Sequence, residues 1–76
     1  MTNTELSEYK EKQLQRDKKE LYRSSVLMYR QGYSISTVVN KIYSEFRDRN
    51  KIFTKANVRD FVWKSIYDFC MKEKET

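Results

Sequence analysis

Residues 28–46 read MYRQGYSISTVVNKIYSEF, and the glycine inside that run decides how the chain is divided. Gly32 is the only glycine, and proline is absent. A lone glycine behind helix-compatible residues suits the left-handed position that follows a helix C-terminus. Ser34, two residues on, carries the hydroxyl of an N-cap. Beyond it Ile35, Val38, Val39, Ile42, Tyr43 and Phe46 recur at threes and fours, within about 140° of arc on a helical wheel. Thr37, Asn40, Lys41, Ser44, Arg47 and Asp48 take the other side. β-Branched residues favour strands, but the spacing is not two. The stretch predicts helix, glycine turn, helix.

Toward the N-terminus, Leu14, Leu21 and Met28 recur at sevens, with Tyr22, Ser25, Val26 and Tyr29 filling the same side. This predicts a helix over 13–31, from which Leu27 points away. Residues 1–13 mix charge and polarity, and Leu6 and Tyr9 do not continue the apolar side. They read either as flexible chain or as a solvated helical extension. Toward the C-terminus, Arg49-Asn50-Lys51 is a polar break and Ile52-Phe53 an apolar anchor. Thr54 is a second N-cap, opening a helix over 55–72 whose buried face is Val58, Phe61, Val62, Ser65, Ile66 and Phe69. Trp63, Tyr67 and Cys70 widen its apolar arc past half the circumference. Either this helix is packed on two sides, or it serves a protein interface such as a homodimer. Residues 73–76 read as a frayed, charged tail. The expectation is an all-α protein: a three-helix, helix-turn-helix-like bundle over 14–72 with a charged N-terminal extension.

Composition narrows the function. The 76 residues hold 16 Lys and Arg against 11 Asp and Glu, a formal charge of +5. Between Lys41 and Lys64 seven bases face three acids, whereas residues 1–24 are close to balance. Concentrated positive charge favours an anionic partner. One cysteine cannot form an intramolecular disulfide, which suggests a reducing compartment. No apolar run approaches the roughly 20 residues that span a bilayer, and Met1-Thr2-Asn3-Thr4-Glu5 lacks the character of a secretory signal. A cytoplasmic protein with no membrane contact is expected.

Catalysis is disfavoured. With no histidine, the usual general base and the common nucleophile–base pairs are missing. One cysteine cannot assemble a structural zinc site. A single glycine excludes a glycine-rich phosphate loop. No enzyme activity, metal or cofactor is expected.

Ser25-Val26-Leu27-Met28-Tyr29-Arg30-Gln31-Gly32-Tyr33-Ser34-Ile35-Ser36-Thr37-Val38-Val39-Asn40-Lys41-Ile42 resembles the first two helices of helix-turn-helix domains in site-specific recombinases and related regulators, over roughly residues 21–66. The resemblance implies a third helix whose first residues enter the major groove of double-stranded DNA. Phe53-Thr54-Lys55-Ala56-Asn57-Val58-Arg59 looks like such an entry. The chain departs from the compact motif by some nine additional residues between Ile42 and Val58, which implies a second helix about two turns longer.

Independently of that resemblance, a helix N-terminus offers free amides and partial positive charge to phosphate. Lys51 and Lys55 sit beside it. Asn57 suits an adenine edge or plain solvation of the helix start, and Arg59 a guanine edge, a phosphate or an intramolecular ion pair. Lys41, Arg47 and Arg49 read as phosphate clamps that add affinity rather than sequence preference. Lys64 shares the exposed side with Asn57, but so do Asp60 and Asp68, which restricts entry to the first turns. Trp63 reads as core or interface, and Tyr22, Tyr29, Tyr33 and Tyr43 as core-edge residues. The expected function is a small DNA-binding regulator, or an accessory factor of a phage or mobile element. The competing reading is a protein-interaction module or inhibitor working through the last helix. Single-stranded nucleic acid ranks third, for want of a sheet platform.

Overall fold

Gly32 adopts φ +95° immediately past the first helix, α1 (Asn3–Arg30). The Tyr33 amide donates to the Met28 carbonyl at 3.2 Å and the Gly32 amide to the Tyr29 carbonyl at 3.1 Å. These paired bonds close a helix whose final carbonyls would otherwise lack donors. A Cβ at Gly32 would meet nothing within 4 Å, so the backbone angle alone asks for glycine.

The structure is a computed structural model that describes the backbone of residues 3–75 and the side-chain surroundings of residues 8–74. Its elements are α1, α2 (Ile35–Phe46) and α3 (Lys55–Glu75), with no strand among the described residues. The chain is all-α, as its periodicity predicts. Each helix packs on both of the others. At about 1.5 Å per residue α1 runs some 42 Å, which accounts for the 45 Å long dimension of the molecule. Helix continues back to Asn3, and residues 8–13 are all exposed. Residues 1, 2 and 76 of the expected extension and tail lie outside the described residues, as does the side chain of Leu6.

Ser34 caps α2, its Oγ accepting from the Thr37 amide at 3.3 Å. Thr54 does the same for α3, accepting from the Asn57 amide at 3.2 Å. α2 stops at Phe46, so the expectation of two extra turns is corrected: the additional residues form the connection 47–54. Asn50 supplies the reason. Its Oδ1 accepts from the Ile52 amide at 3.1 Å and its carbonyl from the Phe53 amide at 3.1 Å, an alternative to helical bonding. Phe53 then turns inward, buried and edge-on to Phe46 (5.6 Å) and Phe61 (6.2 Å).

The core is Leu21 of α1; Val38, Val39, Ile42 and Phe46 of α2; Phe53; and Val58, Val62 and Ile66 of α3. Two serines are buried with it, each satisfied within its own helix. Ser25 Oγ donates to the Leu21 carbonyl and Ser65 Oγ to the Phe61 carbonyl, both at 2.7 Å. Leu27 is exposed, as predicted, but Val26 is half-exposed and Tyr29 exposed, so both flank the buried face of α1 rather than fill it. The last residues also depart from expectation. Helix persists through Glu75, with Lys72 and Lys74 in the final turn offsetting the negative end of the helix dipole.

Candidate nucleic-acid interface

The start of α3 is tied to the preceding connection. Besides the Thr54 cap, the side-chain amide of Asn57 donates to the Ile52 carbonyl at 2.7 Å. The nitrogen an adenine edge would need is thus already engaged, and Asn57 acts as a local brace. The neighbouring surface is open. α2 and α3 meet in a cleft of about 390 Å³ whose walls are Ser36 and Asn40 on one helix and Lys55, Arg59 and Trp63 on the other, over Ile35 and Val39. Lys55, Arg59 and Trp63 follow one another at i, i+4 and i+8, so they stand in a line along α3. Neither Lys55 nor Arg59 has an ion-pair partner among the described residues, and Asn40 carries no hydrogen bond there. The cleft thus combines two uncompensated cations, a free amide and an indole that is half exposed.

The other predicted cations divide. Arg49 lies against α1 with about a third of its side chain exposed. Its guanidinium lies 2.6 Å from Glu20, 3.4 Å from Asp17 and 3.6 Å from Glu45, and stacks 4.2 Å from the Phe46 ring centroid. The hydrogen bond to Glu20, above all, raises its pKa beyond the ordinary arginine value. Asp17 is buried, and the guanidinium is the group that compensates it. Lys64 is occupied by Asp60, one turn earlier, at 2.9 Å. Arg47 approaches only its neighbour Asp48, at 3.9 Å, with both side chains largely exposed. Lys41 extends over the Tyr33 ring at 5.3 Å, and it falls roughly 100° around α2 from Asn40, outside the cleft. Lys51 is exposed in the connection. The structure therefore brings together Lys55 and Arg59 of the predicted set and adds Ser36 and Asn40. Asn40 was legible only as a polar position on α2 and Ser36 was not singled out, because nothing in the sequence says which flank of α2 meets α3.

Along the outer side of α3, Trp63, Tyr67 and Met71 are 53%, 67% and 41% exposed and stand one turn apart. Packing on both neighbours leaves this ribbon uncovered. Cys70 is not part of it, being half-buried. Its thiol, close to Tyr29, is the largest cause of the raised Tyr29 pKa. Met71 takes its place, although sequence periodicity singled out the cysteine. Nearby, the Tyr22 hydroxyl donates to Asp68 at 2.9 Å while Lys72 lies 3.2 Å from the same carboxylate. The tyrosine bond first, then the lysine, lowers the Asp68 pKa below the usual carboxylate value. Asp68 is thus committed to a bridge between α1 and α3.

No helix among the described residues is long and apolar enough to cross a membrane. Comparison with known proteins matches no family model, no curated protein and no solved structure.

Proposed function

We propose that this protein binds double-stranded DNA through the cleft between α2 and α3, in the manner of a small regulator or accessory factor. The observation that carries the reading is the line of unpaired Lys55 and Arg59 facing Ser36 and Asn40 across one open cleft. Lys55, with Lys51 beside it, neutralises phosphates near the start of α3, where the helix dipole adds to the attraction. Arg59 suits a guanine edge or a phosphate, and Asn40, rather than Asn57, suits an adenine edge. Arg49 takes no part, because its charge is already balanced by three carboxylates.

Fluorescence anisotropy with a mixed-sequence duplex across a salt series tests this reading. Each phosphate contact contributes about 0.9 to the slope of log affinity on log salt. Lys55→Gln with Arg59→Gln therefore flattens the slope by about 1.8, with helicity by circular dichroism retained. An unchanged slope rejects the cleft as the DNA surface.

The ribbon of Trp63, Tyr67 and Met71 favours a second reading, docking of a protein partner or a second copy of this chain. Aromatic and methionine side chains exposed in a row are typical of interface cores. Light scattering over a concentration series, with Trp63→Ala beside the parent, checks it. A parent that stays monomeric, and a variant indistinguishable from it in every association assay, remove this reading.

A further inference from the structure

The outward side of α1 carries Lys12, Arg16, Lys19, Arg23 and Arg30, all exposed. At 100° per residue these five fall within about 60° of arc. Leu14, Asp17, Leu21, Ser25 and Met28 centre on the opposite side of the same helix, where Asp17, Leu21 and Ser25 are buried. The five cations therefore form a ridge pointing directly away from α2 and α3, about 27 Å long at 1.5 Å per residue. Lys12, Arg16, Lys19 and Arg23 have no ion-pair partner among the described residues, and Arg30 only approaches the Phe69 ring, at 6.0 Å. Of the carboxylates on α1, Asp17 and Glu20 face Arg49, whereas Glu8 and Glu11 lie beside Lys12, Arg16 and Lys19; the stretch from Lys19 to Arg30 is lined by no carboxylate among the described residues.

We infer that this ridge is a second nucleic-acid surface, one that takes a phosphodiester backbone without regard to sequence. A rigid rod with cations at i, i+4, i+7 and i+11 presents charges every 4.5–6 Å or so along its axis. Such a row matches a linear polyanion and releases its condensed counterions on contact. The charged groups of the ridge are lysine and arginine, with Gln15 the amide beside them, a make-up that favours phosphate contact over base reading. An anionic membrane is the poorer match. A helix lying in a bilayer surface needs a broad apolar face beneath its cations, whereas the apolar face of α1 is buried in the protein's own core and only Val26 and Leu27 interrupt the ridge. The ridge belongs to α1 alone and the cleft to α2 and α3 alone. One molecule thus holds two duplex segments on separate surfaces.

The test starts from the full chain carrying Lys55→Gln and Arg59→Gln, which removes the cleft cations. This protein retains binding to a mixed-sequence duplex with a salt slope of about −4 to −5, the value for five phosphate contacts. Adding Arg16→Gln, Lys19→Gln and Arg23→Gln, all at exposed helical positions that tolerate glutamine, flattens that slope by about 2.7. In a second readout the parent, bound to an immobilised duplex, captures a fluorescent second duplex. The three α1 substitutions alone reduce that capture at least tenfold while leaving the first duplex bound. Capture unchanged by the α1 substitutions overturns the inference, as does a cleft-neutralised protein that no longer binds duplex. Retention on phosphatidylserine vesicles that the α1 substitutions abolish, with duplex binding unaffected, also overturns it. Failure of the cleft reading shows separately, as indifference to Lys55→Gln and Arg59→Gln with the α1 effects intact.

Discussion

Arg49 illustrates how a residue's chemistry can be read correctly and its role missed. Its charge and its place between helices suggest a phosphate clamp, yet its donors face Asp17, Glu20 and Glu45. Removing it leaves a buried carboxylate without its compensating group. Arg49→Leu is therefore expected to cost about 1–3 kcal/mol, measured by urea denaturation, with DNA affinity per folded molecule unchanged. Stability equal to the parent would mean that Asp17 finds water instead. Gly32 is the simpler case. Its φ of +95° is unfavourable for any Cβ-bearing residue although the space is open. Gly32→Ala should cost about 1–2 kcal/mol, whereas an alanine that is neutral in thermal unfolding would show that the turn relaxes. The Tyr22–Asp68–Lys72 cluster sets a pH dependence. The Asp68 pKa is lowered in the folded state, so its contribution is present above the ordinary carboxylate range and is lost as pH falls through the folded value. Tyr22 and Lys72 are raised, so their contributions hold below the ordinary tyrosine and lysine values and disappear in strong alkali. Asp68→Asn should flatten the acid limb of melting temperature against pH, and a limb unchanged by that substitution would place the acid sensitivity elsewhere.

Among the elements, α2 was the most legible and α3 the least. α2 buries its residues at threes and fours with a polar remainder, so a single wheel defines both faces. α3 touches both neighbours, and its apolar arc is too wide for periodicity to separate the core from the ribbon of Trp63, Tyr67 and Met71. The connection 47–54 departs from the expected helix because its turn is made by Asn50 bonding its own backbone and by the burial of Phe53. A turn without glycine or proline leaves only a faint trace in composition. Phe53 is the anchor of this segment, and Phe53→Ala should destabilise by about 3–5 kcal/mol, against roughly 1 kcal/mol for Thr54→Ala at the adjoining cap. Equal effects in thermal or urea unfolding would mean that the connection is held by its hydrogen bonds rather than by the aromatic cluster. The α1 ridge was present in the sequence all along, at 12, 16, 19, 23 and 30. Net charge concealed it, because the acids of residues 1–24 nearly cancel its sum.

At the scale of the molecule, three helices of very unequal length expose a cationic ridge on one helix and a cationic cleft between the other two. Salt dependence is the property this arrangement governs. The parent is expected to lose duplex affinity steeply between 50 and 200 mM salt, by about 500-fold for five phosphate contacts on one surface. An affinity that barely moves over that range would point to the apolar ribbon and a protein partner instead. The helical class, the glycine stop at Gly32, the caps at Ser34 and Thr54 and the apolar faces follow from local backbone preference and the period of the α-helix. They involve residues near one another in the chain, so local pattern is enough to place them. Which cations remain free was decided only when the helices packed. Pairing Arg49 with Asp17 and placing Asn40 beside Arg59 depend on how α1, α2 and α3 rotate against one another. That rotation is chosen by the shape of the whole core, a long-range property that no local pattern encodes.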